Sequence, residues 1–83
     1  MFNKRIWLNT KKSTSTGNAV AFSGKTKWKG KVYKNIFFQV SDCNVSARLH
    51  KTDEDSTYDF ILKLKKLRKF LDEFINYLEK HNN

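Results

Sequence analysis

Residues 25–34, KTKWKGKVYK, place five lysines around a tryptophan and a tyrosine with no acidic residue among them. Lysine ammonium groups neutralise phosphates and release counterions, and aromatic rings offer faces on which unpaired bases stack. Duplex DNA needs charge from its partner but little exposed ring area, because its bases already stack on one another. The segment therefore predicts contact with a single-stranded nucleic acid, DNA or RNA.

The basic charge of the chain is confined to its first half. The 83 residues carry a net charge of +9. Residues 1–41 contain nine Lys and Arg and no Asp or Glu, whereas residues 42–83 contain eight of each sign. Any single lysine has a simpler role in solubility or in protecting a sheet edge. The acid-free block as a whole creates a positive field that favours a polyanionic partner.

Side chains alternate between two faces through most of residues 4–50, which is the period of β-strands. The pattern predicts four strands within the segments KRIWLNT, NAVAFSG, KVYKNIFFQVSD and VSARLHK. In the third segment, Val32, Ile36, Phe38 and Val40 share one side, and Tyr33, Phe37 and Gln39 share the other. We expect the first of these sides to face the core.

The opposite side of the predicted sheet combines rings with cations. Arg5 and Trp7, Tyr33 and Phe37, and Arg48 and His50 all occupy this side of their strands. Residues 25–31, which follow Gly24 and contain Gly30, are predicted to form a flexible basic arm or a hairpin tip at its edge. Each ring has an alternative role in a core or under a second subunit. The predicted nucleic-acid-binding residues are Arg5, Trp7, Lys11, Lys12, Lys25, Lys27, Trp28, Lys29, Lys31, Tyr33, Lys34, Phe37 and Arg48.

The last third of the chain has the period of a helix. One apolar stripe recurs at steps of three and four residues, from Phe60 to Leu78. Ser56 as the N-cap and Asp59 three residues later predict a capping box, and hence a helix from about Thr57 to Lys80. The alternative is a fifth strand over residues 57–64, where apolar and polar residues also alternate. The predicted fold is a single α+β domain over 1–83: a four- or five-stranded antiparallel sheet in the basic part, 1–51, and an acidic cap and long C-terminal helix in 52–83.

The apolar sector of this helix is wide for a monomer, because Ile61, Phe70, Ile75 and Tyr77 join the main stripe. A domain of this size with one cysteine has no internal disulfide to stabilise it. We therefore expect a homodimer that forms through the C-terminal helix.

Motifs of enzymes are missing from the sequence: it has no Gly-rich phosphate loop, no HExxH and no GxSxG. The carboxylates at positions 53, 54, 55 and 59 suit the positive end of a helix without a metal. We expect no enzymatic activity, no catalytic residue, no cofactor, no metal site and no small-molecule substrate. The lone Cys43 fits a reducing compartment, and the N-terminus resembles neither a signal peptide nor a membrane span. These features predict a cytoplasmic protein without membrane contact.

Four strands followed by an amphipathic helix, with a basic aromatic sheet and a lysine-rich hairpin, resemble the transcriptional coactivator family called positive cofactor four and its Whirly relatives. The resemblance lies in the order of elements, from RIWLNT through LKKLRKFLDEFINYL, although the acidic HKTDEDST replaces the short strand-to-helix link of that family. It implies binding of single-stranded DNA across the sheet and dimerisation through the helices. It also implies that the lysines, Trp28 and Tyr33 of residues 25–34 lie on the hairpin between the second and third strands.

Two classes of function follow from these features. The first is a non-enzymatic, sequence-tolerant single-stranded nucleic-acid-binding protein that acts in replication, recombination or transcription. The second is a small phage- or plasmid-encoded interaction module or inhibitor, whose basic sheet docks on an acidic protein. Anionic lipid is a weaker third partner, because the lysines follow a strand pattern and not a basic amphipathic helix.

Overall fold

A computed structural model of the chain describes residues 1–12 and 16–81. The chain divides into two compact units, Met1–Lys51 and Thr52–Asn83. The acid-free segment, residues 1–41, lies entirely within the first unit. The elements in chain order are β1 (Phe2–Trp7), β2 (Asn18–Trp28), β3 (Lys31–Asp42), β4 (Val45–His50) and α1 (Thr57–Lys80).

The first unit is one antiparallel sheet with the strand order β1-β2-β3-β4. Neighbours in sequence are therefore neighbours in space, so each strand returns beside the one before it. The predicted α+β class, with four antiparallel strands and a C-terminal helix, is confirmed. The alternative fifth strand is wrong, because residues 57–64 are helical.

A two-residue turn at Lys29 and Gly30 joins β2 to β3. Their φ angles are 49° and 79°. A type I′ turn needs positive φ at both central positions, and this turn type matches the twist of two antiparallel strands. Both strands consequently continue to the turn, with Trp28 paired to Lys31. Of the two forms predicted for this segment, the structure has the hairpin tip and not the flexible arm.

The β2–β3 hairpin is longer than its neighbours. β1 pairs with β2 only as far as Ser23, and β4 pairs with β3 only from Phe37. Within the described part of the chain, residues 24–35 therefore form a two-stranded extension that lacks a paired strand on either edge. We call this extension the ribbon.

Few side chains of the described residues are buried. Ala19 and Phe60 are 7% and 3% exposed, and Gly17 is also buried. The first part of β2, residues 18–24, and the middle of β3, residues 35–39, are half-buried apart from the buried Ala19. The central strands thus hold the best-protected part of the sheet, and large apolar side chains stay exposed at its ends.

The helical unit begins with the predicted capping box. The Ser56 Oγ accepts a hydrogen bond from the Asp59 backbone N–H at 3.1 Å, and the Ser56 backbone N–H donates to Asp59 Oδ2 at 3.2 Å. The Ser56 hydroxyl also donates to this carboxylate at 2.9 Å. Both hydrogen bonds to the carboxylate lower the pKa of Asp59 below its ordinary value of 3.8. The bond from the Ser56 hydroxyl has the larger effect, and the bond from the Ser56 backbone N–H has the smaller one. The predicted bounds of the helix, Thr57–Lys80, are confirmed.

Candidate nucleic-acid interface

Residues that oppose each other in adjacent antiparallel strands present their side chains on the same face of the sheet. The register therefore assigns every strand residue to one of two faces. The face that we call the ring face has Phe22 opposite Phe37 and Phe37 opposite His50. Members of the same face among the residues singled out from the sequence are Arg5, Trp7, Trp28, Lys31, Tyr33, Phe37, Arg48 and His50.

A row of aromatic side chains crosses the middle of the ring face. The ring centroids of Phe22 and Phe37 are 5.5 Å apart with an interplanar angle of 17°. The centroids of Phe37 and His50 are 5.6 Å apart at 56°. The Arg48 guanidinium carbon lies 4.0 Å from the Phe37 centroid, and Arg48 Nε donates to Gln39 Oε1 at 2.7 Å. Phe37 is therefore a half-buried ring covered by a cation, which leaves little of its surface for a base.

The rings near the two ends of the ring face are more open. Trp7 is 70% exposed, Trp28 66% and Tyr33 48%. On the ribbon, Trp28 is opposite Lys31 and Tyr33 is opposite Thr26, so the two rings are diagonal neighbours on one face. Such diagonal pairs lie about 7–8 Å apart at their Cα atoms. The Lys29 ammonium lies 5.9 Å from the Trp28 centroid. This end of the face combines accessible rings with cations.

The lysines of residues 25–34 do not share one surface. Lys25, Lys27 and Lys34 lie on the face opposite the rings, whereas Lys31 lies on the ring face and Lys29 occupies the turn. The single interleaved surface that the sequence suggests for this segment is thus divided in two by the pleat. Each face of the ribbon has its own chemistry.

Two further predicted site residues lie outside the strands. Lys11 and Lys12 are exposed in the connection between β1 and β2, and residues 13–15 of that connection lie outside the described part of the chain. Two hydrogen bonds join the described residues on either side of that segment: Leu8 N–H donates to the Gly17 carbonyl at 2.9 Å, and Gly17 N–H donates to the side-chain Oδ1 of Asn9. These two lysines are therefore near the Trp7 end of the sheet in sequence but belong to neither face by register.

Phe22 is a member of the ring face that sequence reasoning missed, whereas Gln39 lies on the side to which the alternation of β3 assigns it. Phe22 stacks on Phe37, and Gln39 holds Arg48 over that ring. A signal for Phe22 exists in the sequence, because paired residues of β2 and β3 are equally distant from the Lys29–Gly30 turn. Counting outward from a recognised turn would have placed Phe22 opposite Phe37.

The described residues contain no group of three or more His, Cys, Asp or Glu that could hold a metal ion. The Asp59 carboxylate, a member of the acidic segment noted in the sequence, accepts the hydrogen bonds of the capping box. None of the helices in the described part of the chain has the length and apolar character to cross a membrane.

No family model matches this chain, and no significant match is found among curated proteins or solved structures. The functional inference therefore depends on the residues and geometry of the chain itself.

Proposed function

We propose that this chain is a non-enzymatic, sequence-tolerant protein that binds single-stranded nucleic acid on the ring face, in replication, recombination or transcription. The observation that carries the proposal is that three exposed rings, Trp7, Trp28 and Tyr33, share one face with cations. Every base has a π-face, so stacking on these rings does not depend on sequence. Arg5 and Lys31 supply charge for the phosphates on the same face.

The distance between the outer rings fits an extended ligand. Trp7 is opposite Asn18, and Trp28 ends the same strand, β2. Ten residues of strand at about 3.3 Å each separate these positions, which gives roughly 33 Å. A stacked strand at about 3.4 Å per nucleotide covers this distance with about ten nucleotides. An oligonucleotide of 20 thymidines is thus long enough to reach both tryptophans.

The test uses the intrinsic fluorescence of Trp7 and Trp28. Oligo-dT should quench both tryptophans more strongly than a matched duplex, and the variants Trp7→Phe and Trp28→Phe assign the signal to each end of the face. The log of the affinity should fall with the log of the salt concentration, by about 0.7 per neutralised phosphate. Equal or stronger quenching by the duplex would contradict binding on the ring face. Displacement by polyglutamate but not by oligo-dT would instead indicate an acidic protein partner.

We further propose that the protein is a homodimer that forms through α1. Apolar side chains remain 48–67% exposed along the C-terminal half of the helix, at Phe70, Leu71, Phe74, Ile75, Tyr77 and Leu78. An apolar surface of this extent is expected to be covered in solution. The order of elements, which resembles that of the positive cofactor four family, agrees with this mode of assembly.

The charges of α1 favour an antiparallel arrangement of two copies. Residues 63–69 contain five Lys and Arg and no acid, whereas Asp72, Glu73 and Glu79 follow them. An antiparallel pair brings the basic segment of one helix near the acidic segment of the other, and opposite charges favour that register. Analytical ultracentrifugation should give a dimer for the native chain and a monomer for Phe74→Asp. Asn76→Asp adds the same charge at an exposed polar position and should remain dimeric. A native chain that sediments as a monomer would contradict this assembly.

A further inference from the structure

Three lysines meet on the face of the ribbon that is turned away from the rings. Lys25 is directly opposite Lys34, and Lys27 is opposite Val32 and therefore diagonal to Lys34. All three lysines are exposed. We call this group the lysine triad.

The triad is unfavourable for the free protein. Like charges at directly opposed positions of an antiparallel pair destabilise the sheet, because their side chains are held about 5 Å apart at Cβ. Residues 1–41 offer no carboxylate to compensate them. Within the described part of the chain, none of the three ammonium groups has a hydrogen-bonding or ion-pair partner. An anion bound between them would relieve this repulsion, so the geometry favours a polyanionic ligand at the triad.

The chemistry of the triad differs from that of the ring face. The residues next to the three lysines along each strand, such as Thr26 and Tyr33, present their side chains to the other side of the ribbon. The triad therefore has charge without rings, and its apolar neighbour Val32 provides no stacking surface. A ligand with accessible phosphates and stacked, inaccessible bases matches this face better than a strand with free bases. That ligand is a nucleic-acid duplex.

The shape of the ribbon is compatible with such a ligand. Residues 24–35 extend beyond the paired parts of β1 and β4, so no strand among the described residues pairs with either edge of the ribbon. The major groove of B-DNA, about 12 Å wide, admits a two-stranded β-ribbon. The turn of Lys29 and Gly30 stands at the outer end of this extension, and Lys29 adds a further cation there.

We propose that the lysine triad binds the phosphates of a duplex, and that the preferred ligand of this protein is a junction between single-stranded and double-stranded nucleic acid. The unpaired strand contacts the ring face, and the duplex backbone contacts the opposite face of the ribbon. This inference depends on the function proposed above and specifies its substrate class. The ribbon then marks the point where the two forms of nucleic acid meet.

The test compares three fluorescein-labelled ligands by anisotropy: 20 thymidines, a 20-base-pair duplex, and the same duplex with a single-stranded tail of 20 thymidines. The native chain should bind the tailed duplex most tightly. Its log–log salt slope should be steeper than that for the thymidine strand by about 2.7, since each of three lysines contributes about 0.9 on duplex DNA. Between 50 and 200 mM salt, the preference for the tailed duplex should fall about 40-fold, which is that slope over a fourfold change in salt.

Two triple variants that remove equal charge separate the faces. The triad variant combines Lys25→Gln, Lys27→Gln and Lys34→Gln. It should give equal salt slopes for the tailed duplex and the thymidine strand and should lose the preference for the junction, while most of the affinity for the thymidine strand remains. The second variant should bind the thymidine strand and the junction more weakly by the same factor; it combines Arg5→Gln, Lys29→Gln and Lys31→Gln. Circular dichroism and a urea transition verify that both variants are folded.

The outcomes distinguish the two proposals. A native chain that fails to bind the thymidine strand would overturn the function proposed above. A native chain that binds this strand without preferring the junction would overturn only the present inference. A triad variant that loses affinity equally for the thymidine strand and for the junction would also overturn the present inference, because a single strand would then contact both faces of the ribbon. An unchanged junction preference in the triad variant would assign the triad to another polyanion, such as an acidic protein, and overturn the inference as well.

Discussion

The aromatic side chains of the ring face fall into two regions with different surroundings. In the four-stranded part of the sheet, Phe37 contacts Phe22, His50 and Arg48 and is half-buried. On the ribbon, Trp28 and Tyr33 have one strand neighbour each and remain 66% and 48% exposed. The number of paired strands at each position explains the difference, because a ring with neighbours on both sides is covered by their side chains.

The same residue types therefore have two uses in this sheet. A covered ring contributes to stability through buried area and ring contacts, whereas an exposed ring contributes to binding because a base can still reach it. Trp7 resembles the ribbon rings in this respect, since β1 is an edge strand. Substitutions in the two regions should therefore affect different measurements.

The largest expected effect is a loss of affinity for oligo-dT when the two rings of the ribbon, Trp28 and Tyr33, are removed. The double substitution Trp28→Ala and Tyr33→Ala should weaken oligo-dT binding by about 2–6 kcal/mol, at about 1–3 kcal/mol per ring. Because both rings are exposed, the free energy of unfolding should change by less than about 0.5 kcal/mol. Anisotropy titration and urea denaturation measure the two quantities. Val32→Ala, an exposed ribbon position on the opposite face, is the control and should preserve binding to oligo-dT. Full affinity in the double variant would show that the ribbon rings do not stack bases.

The second effect is on stability, in the four-stranded part. Phe37→Ala should lower the free energy of unfolding by about 2 kcal/mol, less than the 3–5 kcal/mol for a fully buried Phe because this ring is only half-buried. Phe37→Leu retains most of the apolar area but loses the contacts with Phe22 and Arg48, so it isolates their share, about 0.5–1.5 kcal/mol. The folded fraction of Phe37→Ala should still bind oligo-dT more tightly than the double ribbon variant does. The reverse order of affinities would erase the distinction between the two regions.

A third prediction concerns a control region outside the sheet. Ser56→Ala removes the N-cap of α1 and should destabilise the helix by about 1 kcal/mol. The pKa of Asp59 is lowered in the folded protein, so its contribution is present above the unfolded pKa and is lost as the pH falls through the folded pKa. The difference between native and Ser56→Ala chains, followed by helical circular dichroism, should thus shrink below about pH 4. A constant difference from pH 7 to pH 2 would exclude the Ser56–Asp59 interaction as its source. Affinity for oligo-dT at neutral pH should stay unchanged.

Local signals in the sequence were sufficient for most of the fold. Ser56 and Asp59 have a fixed spacing with a known hydrogen-bonding role, and the helix begins where that spacing predicts. The alternation of β3 likewise assigned Tyr33 and Phe37 to one face, as the register confirms. These features depend on residues that are close in sequence.

The division of the lysines was harder to predict, because it depends on strand length and register. Lys25 and Lys34 acquire opposite positions only if β2 and β3 continue to a two-residue turn. The sequence is also compatible with a flexible arm, in which these lysines have no defined face. The covering of Phe37 by Arg48 is also a long-range effect, since it requires β4 to pair with β3 in one register. Spacing along the chain does not specify either contact.

The smallest expected effect tests the turn on which the ribbon depends. Lys29 has a φ of 49°, a region that Asn adopts more readily than other residues with a side chain. Because Gly30 follows it, the substitution Lys29→Asn would create the Asn-Gly pair that a type I′ turn prefers. Lys29→Asn should therefore stabilise the sheet by about 0.5 kcal/mol relative to Lys29→Gln, which removes the same charge without this conformational preference. Urea denaturation of the two variants measures the difference, and both should lose equal affinity for oligo-dT. Identical stabilities would mean that the turn is not held at positive φ in solution. The ribbon would then lack the fixed register that separates its rings from its lysine triad, and the contrast between its two faces would disappear.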